Sequence, residues 1–196
     1  MTRQDAPAVA KRPLRADAVR NRARVLDAAH AAFAAEGLAV PLDEIARRAG
    51  VGAGTVYRHF PTKEALFEAV IGDRLLALAA DAEARLASDG DAGEAFFGFF
   101  FAMIVDADAK ADLAEALAAA GVGLRPETRQ AAAQLQEGFS ALMESAQRAG
   151  AVRTDVTVHD LHALAVGAMA AEKRSAADPD SERGKLTRLI CDGLRA

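Results

Sequence analysis

The residues with the clearest chemical potential lie close together in one short stretch of the chain. Thr55 and Tyr57 carry hydroxyls, Arg58 a guanidinium, His59 an imidazole and Lys63 an ammonium group. Each of these groups can donate hydrogen bonds, and the last three can carry positive charge. Nothing in the chain pairs such a group with a partner in a nucleophile–base arrangement. The predicted chemistry is hydrogen-bonded recognition rather than catalysis.

Other catalytic or metal chemistry has little support in the sequence. Residues 50–54, GVGAG, lack the preceding strand and the following Lys-Ser/Thr pair of a phosphate-binding loop. His159 and His162 are three residues apart on one predicted helix and could form a ligand pair, but no Cys or third His lies nearby. Coincidence is the favoured interpretation of this pair. We expect neither an enzyme nor a metal or other cofactor.

Four of the five donor residues, all except Lys63, belong to the second of two short predicted helices. Apolar residues recur at helical spacing from Leu42 to Ala49, and Gly50 then ends that helix. The next helix, Ala53 to Phe60, directs Val56 inward and leaves the donors facing outward. Two short helices joined by a Gly-containing turn form a helix-turn-helix, which lays its second helix in the DNA major groove. The alternative is an αα-hairpin with a basic surface by chance.

A resemblance to a known family supports the first of these interpretations. The run AGVGAGTVYRHFPTKEAL, Ala49 to Leu66, resembles the helix-turn-helix of the TetR family of bacterial transcriptional regulators. Its most specific part is Tyr-x-His-Phe followed by a Lys and a new apolar helix. The pattern of residues 25–37 also resembles the first helix of that family. The resemblance implies that the following residues contact DNA, chiefly its backbone: Thr55, Tyr57, His59, Lys63 and Asn21, which stands where the family often has a phosphate-contacting Thr.

Base recognition is the part of this pattern that the sequence supports least. Gly52, Ala53 and Gly54 open the recognition helix without any long polar side chain. They allow close approach of the backbone to DNA but little hydrogen-bond readout, and Gly52 also lacks a hydroxyl to cap the helix. Arg58 is the candidate for reading guanine, with a phosphate contact as its alternative role. For His59 the alternative role is to cap the recognition helix.

Composition limits the class of protein. The chain has 196 residues, no Trp and a single cysteine, Cys191, which excludes an intrachain disulfide framework. High Ala and aliphatic content favours an all-helical protein, and no apolar run approaches the ~20 residues of a membrane span. Since the N-terminus has no apolar signal segment, we expect a cytoplasmic protein without a membrane partner.

Charge is distributed unevenly along the chain. Residues 1–64 contain 11 Lys and Arg against 7 Asp and Glu, whereas residues 65–196 contain 13 against 21. A basic head could approach phosphate while an acidic body is repelled by it. Ordinary surface scatter is the alternative explanation. The asymmetry agrees with the motif but would carry little weight alone.

Three segments follow from these patterns. Residues 1–14, with Pro7 and Pro13 and scattered charges, form a disordered basic arm that either reaches the DNA or is a passive tail. Residues 15–62 form the DNA-binding domain, with the helix-turn-helix at about 42–60 and a first helix from Arg15 to Glu36 that buries Val19 and Phe33. Residues 63–196 form a C-terminal domain for ligand binding and dimerisation.

The C-terminal domain is predicted to be a helical bundle. A long helix capped by Thr62 runs towards Ser88. After a break at 89–91, further helices cover residues 96–104, 108–120, 127–149, 158–171 and 180–194. Thr157 and Asp160 resemble a capping box at the start of the next-to-last helix. The fold class is therefore all-α, with an N-terminal three-helix head, a C-terminal bundle and about nine helices in total.

An unusual aromatic cluster occupies the middle of this bundle. Five of the nine phenylalanines lie between Phe96 and Phe101, so they point all round one helix and neighbouring helices must enclose it. One face either lines a cavity for a small molecule or packs as a filled core. The residues predicted to bind a ligand are Phe96, Phe100, Met103, Phe139 and Met143.

The resemblance also implies how such a protein would work. In TetR-like proteins the last two helices, here 157–194, form the interface of a homodimer. We therefore expect a ligand-responsive repressor that binds double-stranded DNA at a palindromic operator and responds to an unknown small-molecule effector. One alternative is a helical small-molecule-binding protein with a vestigial DNA-binding head. Another is a constitutive DNA binder with a filled core.

Overall fold

The computed structural model of the protein describes residues 12–105, 125–176, 178 and 181–196. This part of the chain contains eight α-helices, and its isolated β-bridge joins Val152 and Arg195. The prediction of an all-α protein is confirmed. The helices are α1 (Arg12–Glu36), α2 (Leu42–Ala49), α3 (Ala53–His59), α4 (Lys63–Leu86), α5 (Ala92–Val105), α6 (Pro126–Arg148), α7 (Val158–Ser175) and α8 (Lys185–Leu194), with a 3₁₀ turn at Gly37–Ala39.

Some predicted boundaries differ from the observed ones. Helix α1 begins at Arg12, so the last residues assigned to the basic arm are helical; residues 1–11 of that arm lie outside the described residues. The helix predicted at 108–120 and the loop after it also lie outside them. Helix α8 starts at Lys185 instead of near residue 180, because Gly184 at its N-cap has a left-handed conformation (φ +77°) that interrupts helical geometry.

The chain divides into two compact units, Met1–Leu66 and Phe67–Ala196. In the first unit, α1 packs against α2, and its buried stripe begins at Val25 and continues through Phe33. Ile45 is the fully buried counterpart on α2. Val19 was predicted to belong to the buried stripe, but it is 69% exposed. That prediction is wrong because the buried residues of α1 begin only at Val25, and Val19 lies before them in the helix.

Helix ends in the first unit are fixed by local hydrogen bonds. Helix α2 ends at Gly50 (φ +63°), and the N–H of Val51 donates to the carbonyl oxygen of Ala46 at 3.0 Å. Thr62 caps α4 as predicted, since its Oγ1 accepts the N–H of Ala65 at 3.1 Å. These helix ends separate the short helices α2 and α3 from each other and from α4, as a helix-turn-helix requires.

The core of the second unit is built around α5. Phe96, Phe99 and Phe100 are fully buried, and the rings of Phe96 and Phe100 both stack on Phe139 of α6, with centroids 6.0 and 6.1 Å apart. Burying each such ring contributes roughly 1.5–3 kcal/mol. The prediction that neighbouring helices enclose the aromatic cluster is confirmed, although Phe101 is only half-buried.

Two capping arrangements organise α7 and α8. The predicted capping box is present: Thr157 Oγ1 accepts the Asp160 N–H, and the Asp160 carboxylate accepts the Thr157 N–H. At the other end of α7, the buried carboxylate of Glu172 accepts the N–H of Gly184 and the N–H and hydroxyl of Thr187. Glu172 therefore caps the N-terminus of α8.

No helix in the described part of the chain combines the length and the apolar character needed to cross a membrane.

Candidate nucleic-acid interface and cavity

The recognition helix α3 presents the predicted donors on its surface. Val56 is fully buried beneath it, whereas Tyr57 is 47% exposed and Arg58 and His59 are exposed. Thr55 is half-buried. The outward face of α3 can therefore offer a phenol, a guanidinium and an imidazole as hydrogen-bond donors.

The start of α3 is as bare as the sequence indicated. Its N-cap, Gly52, makes no side-chain capping hydrogen bond. Gly52 and Gly54 are exposed, and a Cβ added at either position would meet no atom within 4 Å. A flat partner surface could therefore come very close to the backbone here.

The other predicted contact residues lie on neighbouring elements of the same unit. Lys63 is half-buried in the first turn of α4, and its Nζ donates to the carbonyl oxygen of Ala39 at 3.4 Å. Asn21 is half-buried on α1. The centroid of the His59 ring lies 6.2 Å from that of the Phe60 ring. At the C-terminal end of α3, the backbone N–H of Phe60 donates to the carbonyl oxygen of Val56 at 2.8 Å. That backbone bond leaves the capping of α3 independent of the His59 side chain.

Arg24 has a role that the sequence analysis missed. Its guanidinium donates from Nε and Nη2 to the carbonyl oxygen of Ala49, at 2.9 and 2.7 Å, and also reaches the carbonyl oxygen of Gly50. These carbonyls belong to the C-terminal end of α2, where positive charge is favourable. Arg24 thus ties α1 to the turn of the helix-turn-helix. Nothing in the sequence indicated this contact, because the partner oxygens belong to the backbone.

Basic residues of α2 are held by acidic neighbours. Arg47 and Arg48 both donate to Glu44 at 2.7 Å, and Arg48 also pairs with Glu36. Hydrogen bonds from these guanidinium groups lower the pKa of the Glu44 carboxyl from 4.5 to about 2. The Glu44 charge offsets part of the positive charge of α2, so the face of α3 remains the better candidate for contact with phosphate.

The second unit contains a cavity of about 590 Å³ beside the aromatic core. Of the five residues predicted to bind a ligand, Met103 and Phe139 line it. Phe96, Phe100 and Met143 are buried in the core around it. The two histidines that the sequence analysis noted as a coincidental pair, His159 and His162, also line this cavity. The described residues that line it are Leu75, Met103, Arg129, Ala132, Ala133, Leu135, Gln136, Phe139, Val158, His159, His162 and Ala165.

Sequence comparisons match both units to models of one family. Residues 25–70 match the model described as bacterial regulatory proteins of the tetR family, and residues 91–196 match that of a transcriptional regulator SbtR-like C-terminal domain. Two curated relatives are HTH-type transcriptional regulators of Pseudomonas putida, SrpR and the uncharacterized TtgW, each 45% identical over 60 residues. These matches cover 30% of this chain but only 28% and 45% of the two relatives, respectively.

Solved structures extend the similarity to almost the whole chain. A TetR transcription regulatory protein from Mycobacterium vanbaalenii is 48% identical, with a TM-score of 0.70, over 94% of this chain and 100% of that one. The TetR transcriptional regulator SCO0520 from Streptomyces coelicolor is 36% identical, with a TM-score of 0.69, over 89% and 98% of the two chains. The helix-turn-helix geometry, the family models and these neighbours agree: the chain belongs to the TetR family and is a transcriptional regulator with a helix-turn-helix DNA-binding domain.

Proposed function

We propose that this regulator binds a palindromic operator as a homodimer and acts as a ligand-responsive repressor. The observation that carries the proposal is that Tyr57, Arg58 and His59 of α3 are all exposed, whereas Val56 between α3 and the rest of the unit is fully buried. Donors on such a face can bond to phosphate oxygens and to base edges when the helix lies in the major groove.

The main test is binding of the full-length protein to duplexes selected from a randomised library. We expect a palindromic consensus and an affinity that falls steeply with salt, because each neutralised phosphate adds about −0.9 to the slope of log K against log salt. The double variant Tyr57→Phe/Lys63→Gln should bind the selected duplex more weakly and show a shallower slope of log K against log salt. A protein that enriches no sequence and shows no salt dependence would instead favour the alternative function, a small-molecule-binding protein with a vestigial head.

The surfaces of α7 and α8 support the homodimer. Ala163, Leu164, Gly167 and Ala170 are exposed along α7, and Leu189 of α8 is 59% exposed. A Cβ added at Gly167 would meet no atom within 4 Å, so the backbone of another helix could approach closely there. An exposed apolar and small-residue face of this kind fits the self-complementary interface of a twofold dimer.

Light scattering tests the oligomeric state directly. We expect twice the chain mass of 20.5 kDa at micromolar concentration. Leu189→Glu should shift the mass towards the monomer, whereas the matched control Leu76→Glu, at an exposed leucine of α4 (49%), should not. A monomeric wild-type protein, or equal behaviour of the two variants, would contradict the proposed interface.

Repression and ligand response need a cellular readout. A reporter promoter that overlaps the selected operator should be less active when the regulator is expressed, and a lack of change or an increase would contradict repression.

Leu75 of the cavity belongs to α4, the same helix that begins at Lys63 beside the helix-turn-helix. We propose that an occupied cavity acts on the DNA-binding domain through α4, with a coupling free energy of about 1–3 kcal/mol.

A further inference from the structure

His159 and His162 of α7 line one cavity of the second unit. Both side chains are exposed, and both belong to the lining of the cavity of about 590 Å³ beside the aromatic core. From the sequence alone, coincidence is the favoured explanation of this pair, because no Cys or third His lies nearby in the chain. The structure adds that the two imidazoles share one space, which their spacing in the sequence does not establish.

Helix α7 places the two imidazoles at a separation that a metal ion can bridge. Residues three apart on a helix have Cβ atoms about 5–6 Å apart. Two imidazole nitrogens that bind one ion at about 2.0–2.1 Å lie roughly 3.3 Å from each other in tetrahedral geometry. Side chains that converge from neighbouring Cβ atoms satisfy this distance, and the metal-binding Glu-x-x-His motif of helical bundles uses the same spacing.

Charged groups near this pair act on a bound cation in both directions. Arg129 lines the cavity, and its like charge weakens the binding of a cation. The carboxylate of Asp160 has the opposite effect. Its pKa lies below the usual range, chiefly because Thr157 donates hydrogen bonds to it at 2.6 and 2.9 Å and in part because His159 is near. A negative charge therefore stands beside one of the two imidazoles.

The remaining coordination positions of an ion at this pair are open. In the part of the chain that the structure describes, no group of three or more His, Cys, Asp and Glu residues is placed to hold a metal ion. Gln136 of α6 lines the same cavity, and its amide oxygen is a further ligand for a cation. Water, this amide or a second small molecule can thus complete the coordination that two imidazoles begin.

We infer that this cavity binds a divalent transition-metal ion through the imidazoles of His159 and His162. Imidazole nitrogen suits Cu²⁺, Ni²⁺ and Zn²⁺, whereas Mg²⁺ prefers oxygen ligands. The affinities should follow the usual order of these ions, with Cu²⁺ bound most tightly. This site goes beyond the proposed regulation, because neither the operator nor the dimer supplies a ligand to it.

The experiment is isothermal titration calorimetry of the full-length protein, prepared without a histidine tag and measured without DNA. The probes are the chlorides of Cu²⁺, Ni²⁺, Zn²⁺ and Mg²⁺. We expect one tightly bound Cu²⁺ ion per chain, weaker binding of Ni²⁺ and Zn²⁺, and no detectable heat from Mg²⁺. Pulsed electron paramagnetic resonance of the Cu²⁺ complex should show two coordinated imidazoles.

Substitutions assign the ion to this pair. His159→Ala and His162→Ala should each lower the Cu²⁺ affinity about tenfold or more, equivalent to about 1.4 kcal/mol or more, because each removes one of the two imidazoles. Circular dichroism of each variant should match that of the wild type.

Relocating an imidazole provides the matched control. Lys173→His adds an exposed imidazole to the same helix, roughly 16 Å from His162 along the helix axis, and should leave the Cu²⁺ affinity unchanged. The double variant His162→Ala/Lys173→His has as many imidazoles as the wild type but should bind Cu²⁺ as weakly as His162→Ala.

Several outcomes would overturn the inference. These are Mg²⁺ binding as tightly as Cu²⁺, a His159→Ala or His162→Ala variant that keeps the wild-type affinity, a relocated imidazole that restores it, or no detectable heat from Cu²⁺ at submillimolar concentration. Because DNA is absent and the readout is metal binding, these results are independent of the operator-binding and light-scattering tests. Failure here would remove the metal site, while failure of those tests would remove the proposed regulatory function.

Discussion

The guanidinium of Arg24 holds the carbonyl oxygen of Ala49 with two hydrogen bonds, from Nε at 2.9 Å and from Nη2 at 2.7 Å. These bonds connect α1 to the last residue of α2, directly before the turn at Gly50. The angle at which α3 leaves this turn decides where Tyr57 and Arg58 are directed. The contact therefore links packing inside the head to the geometry of DNA recognition.

Replacing Arg24 by alanine should loosen this turn. Hydrogen bonds from a charged donor contribute about 1.5–3 kcal/mol when buried, and partial exposure reduces this to about 1 kcal/mol. Faster hydrogen exchange at the Val51 amide, which bonds to the Ala46 carbonyl at 3.0 Å, would report the change. Operator affinity should fall as well.

Arg20→Ala is the matched control for this variant. Arg20 lies on the same helix, and its side chain pairs with Asp17 on the surface. Such a pair contributes about 0–1 kcal/mol. Equal exchange rates at Val51 in the two variants would contradict a special role for Arg24.

Local patterns predicted most of the fold. Gly50 and Thr62 end and begin helices where expected, because capping depends on residues close in sequence. The capping box at Thr157 was found for the same reason. The exposure of Val19 was missed, because periodicity identifies a face of a helix but not how far along that face a neighbour extends.

Contacts between distant residues were beyond reach of the sequence. Glu172 and Thr187 are 15 residues apart and meet only through the packing of α7 and α8. The lining of the cavity has the same origin, since Arg129 and His162 come from different helices. The aromatic cluster is conspicuous in the sequence by its composition, whereas the polar residues that line the cavity, such as Gln136 and His162, resemble ordinary surface residues.

If the protein binds a palindromic operator as proposed, Arg58→Ala should relax base preference at one position of each half-site. Loss of a bidentate contact to guanine costs about 1–3 kcal/mol of discrimination. Repeated selection with the variant protein measures this, and Lys63→Gln serves as the comparison, since loss of a phosphate contact weakens all sequences alike. If Arg58→Ala weakened every sequence to the same extent, Arg58 would be a phosphate contact.

Glu44 should make the stability of the head depend on pH in acid. Its pKa in the folded protein, about 2, lies below the ordinary value of 4.5, because Arg47 and Arg48 donate hydrogen bonds to the carboxylate. A lowered pKa stabilises the folded state above about pH 4.5, and this contribution is lost as the pH falls towards 2.

The measurement is unfolding of the wild type and Glu44→Gln between pH 2 and 7. The wild type should be the more stable at neutral pH, and the difference should shrink below pH 4.5. The control is Asp43→Asn, at an exposed neighbour that takes no part in the described ion pairs of Glu44, and it should show a smaller change. A constant difference across this pH range would contradict the role of Glu44.

Gly184→Ala should destabilise the second unit by more than Gly150→Ala. Both glycines have positive φ, +77° and +72°, so alanine costs roughly 1–2 kcal/mol at either position. Only at Gly184 would the new Cβ also lie 2.7 Å from Cζ of Phe101, whereas at Gly150 it meets no atom within 4 Å. Urea unfolding of both variants separates backbone strain from the steric clash, and equal losses would show that Phe101 moves aside freely.

Glu172→Ala should be the most damaging of these changes. Its carboxylate is buried (2% exposed) and accepts the N–H groups of Gly184 and Thr187, both at 3.0 Å, and the Thr187 hydroxyl at 2.8 Å. Removing it leaves buried donors without an acceptor, at about 1–3 kcal/mol each. Thr187→Val removes only the hydroxyl and should cost about 1 kcal/mol. Glu182→Ala, at an exposed carboxylate that pairs with Arg188, is the control, and its free energy of unfolding should stay within about 1 kcal/mol of the wild type. If Glu172→Ala unfolded at the same urea concentration as this control, the buried carboxylate would not be what holds the start of α8 against α7.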